Sequence, residues 1–164
     1  METLGISSGL YQEGTMSESN KTVVRRLIEE VWNKRNPAVA DELIATNYVS
    51  HDPSTPEHGR GPEAYKRTFH LYAAAFPDLR FTIDSIFSEG DLVAARWTST
   101  GTHRGKLNEI EPTGRTVTVT GTTIVRIAAG QVREDWVQWD AVGLMRQLGV
   151  LKPMTQAAGR RASE

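Results

Sequence analysis

The stretch Val132-Arg133-Glu134-Asp135-Trp136-Val137-Gln138-Trp139-Asp140 mixes acids, an amide and aromatic rings more densely than any other part of the chain. Read as a strand, it sends alternate side chains to opposite faces. Val132, Glu134, Trp136, Gln138 and Asp140 then share one face, and Arg133, Asp135, Val137 and Trp139 the other. Taking a carboxylate out of water is costly unless it is paired or neutralised. A face that sets Glu134 and Asp140 beside Trp136 therefore either meets solvent or lines a polar cavity. In a cavity, Asp140 is a candidate acid–base group. On a solvated face it is a helix cap, because a short helical run starts at Val142 and Asp caps well.

Two histidines come next. His51 stands in Tyr48-Val49-Ser50-His51-Asp52-Pro53, where a helical region gives way to loop, and His103 closes a strand in Gly101-Thr102-His103-Arg104-Gly105. Both lie at element ends, where functional groups gather, and a neutral imidazole can bond a carbonyl or carry a proton near neutral pH. His58 and His70 read as structural or surface groups. His51, Asp52, His103 and Asp140 are metal-ligand types, but they lack the H-x-H or H-E-x-x-H spacing of a metal site, so no metal is expected. Without cysteine there is no thiolate nucleophile.

These groups need a scaffold, and the 164 residues fit one domain. Nineteen Lys and Arg against 20 Asp and Glu leave a net charge of -1, which gives no basic field for nucleic acid and no polybasic pull toward a membrane. The absence of cysteine removes a disulfide scaffold and points to a reducing, cytoplasmic compartment. No apolar run reaches the length of a membrane-spanning helix.

Residues 1–19 are polar, lack an apolar period and read as a flexible arm, with Met16 an alternative start. Residues 153–164 read as a flexible tail, leaving 20–152 to fold. Val23, Val24, Leu27, Ile28, Val31 and Trp32 recur at helical spacing and predict an amphipathic helix over Ser19–Arg35. Pro37 opens a short helix through Leu43 and Ile44, Asn47–Arg60 is loop-like, and Gly61-Pro62 starts a helix that stops near Phe76-Pro77. From Leu79 the period becomes two. A hairpin turns at Glu89-Gly90-Asp91, strands are expected over Leu92–Gly101, Thr116–Ile127 and Gln131–Asp140, and Val142–Leu148 closes as a helix. Helices first and antiparallel strands afterwards predict an α+β fold, in which a curved sheet wraps the first and third helices around a pocket.

In order, the chain contains Asp41-Glu42-Leu43-Ile44-Ala45-x-Asn47-Tyr48-Val49-x-His51-Asp52-Pro53, Phe76-Pro77-Asp78-Leu79-Arg80-Phe81-Thr82 and Glu89-Gly90-Asp91-x-Val93-x-x-Arg96-Trp97-x-x-x-Gly101-Thr102-His103-x-Gly105. Arg126-Ile127-x-x-Gly130-x-Val132-x-Glu134-x-Trp136-x-x-x-Asp140 and Gln147-Leu148-Gly149 follow. Over roughly Asn20 to Val150 this resembles the SnoaL-like polyketide cyclases, or ester cyclases, of the NTF2-like superfamily. The resemblance implies a conical α+β barrel with an apolar cavity, and a small hydrophobic or aromatic substrate. It also implies cofactor-free aldol ring closure, with the aspartate matching Asp140 as general acid/base. His103 or His51 would assist at the developing oxyanion. Trp136, Gln138, Glu134, Trp97 and Tyr48 are the expected substrate contacts. Family likeness further implies a homodimer or higher homo-oligomer, with Arg133, Val137 and Trp139 as the expected contact. Two other readings stay open. One is a limonene-type epoxide hydrolase built on an Asp–Arg–Asp set, for which Arg126 and Asp140 lack a second acid. The other is a non-catalytic binding module.

Overall fold

The computed structural model describes residues 7–54 and 59–151, with side chains from Met16 onward. Helix α1 (Ser7–Arg26) continues without a break into a π-helical stretch, Leu27–Asn33, closed by the Lys34 N–H on the Glu29 carbonyl. The helix thus begins well before Ser19, inside the stretch expected to be an arm. Polar residues hold this extension: Ser17 bonds Ser88 through their hydroxyls, and the amide of buried Asn20 donates to the Gly90 carbonyl. An apolar periodicity does not register such contacts.

A single 3-10 turn at Pro37–Val39 and the short α2 (Ala40–Leu43) lead into strand β1 (Ile44–His51). This strand corrects the expected helix-then-loop reading of the segment. Its pairing with the distant last strand stabilises it, and no local pattern reveals that. Helix α3 (Gly61–Ala75) carries Pro62 in its first turn, as predicted. The strands β2 (Arg80–Glu89), β3 (Leu92–Thr102), β4 (Thr116–Ala128) and β5 (Gln131–Trp139) follow, then α4 (Ala141–Leu148), which Gly149 ends in the left-handed conformation at φ 81°. His58 and the tail 153–164 lie outside the described residues.

The sheet runs in the order β1-β5-β4-β3-β2. It is antiparallel from β2 to β5, and β1 adds a parallel edge beside β5. It curves without closing, so α1, its π-helical extension and α3 pack into the concave face. Val31, Ile44, Phe76, Val93 and Val132 are fully buried there. No described helix is long and apolar enough to cross a membrane.

One irregularity decides which face of β5 points inward. Arg126 pairs with Glu134, but the next residue of β4, Ile127, pairs with Val132, so Arg133 is an extra residue in β5. Such a β-bulge reverses the alternation beyond it. Val132 faces the core with Asp135, Val137 and Trp139, while Glu134, Trp136 and Gln138 turn to the outer face.

Candidate active site

A cavity of about 170 Å³ opens between the concave face of the sheet and the helices. Its walls are largely apolar: Leu27 and Trp32 from the first helix, Phe76 after α3, Trp97 from β3 and Val125 from β4. Into this surface β1 sends Tyr48 and Ser50, and Asp52 follows them in the same phase. β5 sends Asp135.

Ser50 and Asp135 are direct partners across the parallel β1–β5 pair. The Ser50 hydroxyl donates to Asp135 Oδ1 at 2.6 Å and the Tyr48 hydroxyl to Oδ2 at 2.7 Å. Asp135 is 5% exposed. Burial pushes its carboxyl above the usual carboxylate range, and the charge of Asp52 adds to that rise, while the two hydroxyl donors oppose it. Burial also raises the Tyr48 phenol, which stays protonated and therefore donates. Tyr65 extends the polar corner: its oxygen accepts from the Trp32 indole at 2.8 Å, and its ring meets Tyr48 edge-on at 6.1 Å.

At the other polar point of the wall, Asp52 Oδ1 accepts from the backbone and hydroxyl of Ser54, and Oδ2 from the Trp139 indole at 3.4 Å. Tyr72 stands over Trp139, edge to face at 6.1 Å, with its phenol pushed up to about 12 by burial and by the nearby Asp52 charge. No Lys, Arg or His is among the described residues that line the cavity.

The structure therefore redistributes the residues singled out in the sequence. Tyr48 and Trp97 line the cavity, with the Trp97 indole N–H donating to Thr123 Oγ1 at 3.0 Å. Asp140 does not reach it. That side chain is exposed and caps α4, accepting from the Gly143 N–H at 2.7 Å. Glu134, Trp136 and Gln138 lie on the outer face because of the Arg133 bulge. His51 joins them there: its ring stacks on Trp136 at 5.4 Å and 13°, and its Nε2 meets Glu134 Oε1 at 2.9 Å. Arg126 bonds the same Glu134 at 2.8 Å, far from Asp140, so the Asp–Arg–Asp set does not assemble from these residues.

His103 is fully buried but lies behind Phe76, ring to ring at 5.2 Å, and does not line the cavity. Its Nδ1 accepts the Thr113 N–H at 3.2 Å, which leaves the proton on Nε2, and burial keeps the ring neutral by lowering its pKa. It pins the loop after β3, whose Arg104 and Gly105 N–H groups both cap the Ala75 carbonyl at 3.0 Å. Gly105 is required there, since a Cβ would lie only 2.9 Å from the Ala74 carbonyl carbon.

Sequence reasoning missed Ser50 and Asp135. The first lies in β1, a strand that no local pattern marks. The second was hidden by the bulge.

This fold has known counterparts. Residues 22–148 match the family described as SnoaL-like polyketide cyclase, and the chain belongs to that family. It is 32% identical over 133 residues to the aklanonic acid methyl ester cyclase DnrD of Streptomyces peucetius, covering 77% of this chain and 88% of that one. It is 33% identical over 114 residues to the nogalonic acid methyl ester cyclase of Streptomyces nogalater, covering 66% and 82%. Among solved structures, TsrD from Streptomyces laurentii superposes with a TM-score of 0.75 at 28% identity, covering 82% of this chain and 97% of that one.

Proposed function

We propose that the chain closes a ring in a neutral, polyketide-like ester by an intramolecular aldol step, with Asp135 as the acid–base group. The observation that carries this reading is a buried carboxyl in an apolar cavity, held by the Tyr48 and Ser50 hydroxyls. Ionised Asp135 removes a proton from a carbon between two carbonyls. The enolate attacks a second carbonyl of the same molecule, one carbon–carbon bond forms, and the new alkoxide takes the proton back from Asp135. Atoms balance with no other reactant. A carboxyl held above its usual range is a stronger base once ionised and a competent acid once protonated. The cavity wall holds the chain folded for closure, which is where most of the acceleration in such a reaction arises.

Among the described residues, the carboxyl groups facing the guest are those of Asp135 and Asp52, with no cation to match a free carboxylate. That lining repels an acid and accepts its ester, in line with the methyl esters in the names of two relatives. The test is turnover of aklanonic and nogalonic acid methyl esters against the corresponding free acids. Conversion of an ester with the acid inert is the expected result. Conversion of the acid at an equal rate contradicts the reading.

We infer further that two copies pair through the outer face of the sheet, in the cytoplasm. Phe87, Ala94, Ile124, Trp136 and His51 follow one another in register across all five strands. Phe87 is 66% exposed and Ile124 39%. Five strands span about 19 Å, and ten-residue strands run about 33 Å; that face approaches the roughly 800 Å² per partner of a stable complex. A twofold axis near Ile124 sets the exposed Phe87 of one copy over the Trp136–His51 stack of the other, which makes the stripe self-complementary. Val137 and Trp139, expected at this contact, face the cavity instead.

A further inference from the structure

At the middle of the inward row of β4, between Val119 and Thr123, stands Gly121. Its strand partners are Trp97 on β3 and Trp139 on β5, both of which line the cavity. A Cβ at this position would fall 2.6 Å from Trp97 Cη2, closer still to Cζ2, and 2.8 Å from Trp139 Cβ. The backbone of Gly121 is ordinary strand, outside the left-handed region, so conformation does not require glycine here. Ring space does. A glycine inside a strand weakens it and marks the close approach of something else, and what approaches here is the six-membered ring of Trp97.

The Trp97 indole is fixed in that position from two sides. Its N–H bonds Thr123 Oγ1 at 3.0 Å, and its ring meets Phe81 edge-on at 5.2 Å. The ring therefore leans over Gly121 toward β5 and forms part of the cavity floor. Any side chain at 121 must lift that ring, and the open side is the cavity.

We propose that Gly121 and Trp97 together set the size of guest the cavity admits, Gly121 by letting the indole lie down and Trp97 by filling the space the glycine leaves. The proposal takes from the preceding section only that the guest is small and neutral. It concerns fit, not proton transfer.

The test uses three neutral ketones that share an acetyl group and differ in fused rings: acetophenone, 2-acetonaphthone and 2-acetylanthracene. Their affinities are measured calorimetrically for the wild type, Gly121→Ala and Trp97→Phe. Gly121→Ala is expected to weaken the largest guest the wild type holds by about tenfold or more, the scale of a small volume change in an apolar pocket, and to leave acetophenone almost unaffected. Trp97→Phe is expected to move the preference toward the larger ketones. If Gly121→Ala fails to fold, Trp97→Phe decides the matter. An unchanged size preference in the variants, an equal loss for all three ketones, or no binding of any ketone to the wild type overturns the proposal. None of these ketones carries the second carbonyl that ring closure needs, so their binding reads fit alone, and a failure of the acid–base assignment is read separately in turnover.

Discussion

The Tyr48 hydroxyl donates to Asp135 Oδ2 at 2.7 Å, joining the first strand of the sheet to the last across 87 positions of sequence. With Ser50 on the other oxygen, the carboxyl is bonded at both ends while its surroundings remain apolar. Burial and hydrogen bonding therefore act on it in opposite directions, and burial dominates.

Tyr48→Phe removes one of the two donors. The Asp135 carboxyl should rise further above its ordinary range, because its charged form loses a partner. The acid limb of the kcat/KM profile then moves to higher pH, and the rate at neutral pH falls about tenfold or more, the scale of a hydrogen bond to a charged group. An acid limb that stays in place would show that Tyr48 does not act on the titrating group.

Asp140→Ala removes the N-terminal cap of α4. Loss of such a cap costs about 1 kcal/mol, so the melting temperature should fall by a few degrees while turnover persists, since the side chain lies outside the cavity. A selective collapse of turnover in a fully folded Asp140→Ala protein would return the acid–base role to that residue.

Ile124→Lys puts a charge at the centre of the outer stripe. Sedimentation should show wild-type chains as a pair and the variant as single chains, with the cavity and its guests unaffected. A wild-type protein that sediments as a monomer at micromolar concentration rules out the face-to-face pair.

The helix over α3, the β2–β3 hairpin and the strands β3 to β5 could be read from periodicity and turn residues, because each carries its own pattern. Strand β1 could not: Ile44–His51 follows a proline-led helix, and the parallel partner that stabilises it lies almost ninety residues away. The site suffered most from one extra residue. With strict alternation, Asp140 shares a face with Val132, which is buried; the bulge at Arg133 breaks that phase and brings Asp135 inward. The chemistry expected of the segment, an acid held among aromatic rings, was present in the sequence. Which acid it was depended on backbone register, which composition does not encode.

The acid–base claim rests on Asp135, and one variant addresses it most directly. The folded state holds this carboxyl protonated above the usual value of 3.8. Its contribution to stability is complete below that value and is lost as pH rises through the folded-state value. Asp135→Asn cannot ionise, so near neutral pH it should melt at or above the wild-type temperature. Turnover of a cyclisable methyl ester, measured on that intact protein, should fall by about 100-fold or more, the usual scale of lost acid–base help. A folded Asp135→Asn protein that closes the ring at the wild-type rate would contradict the mechanism.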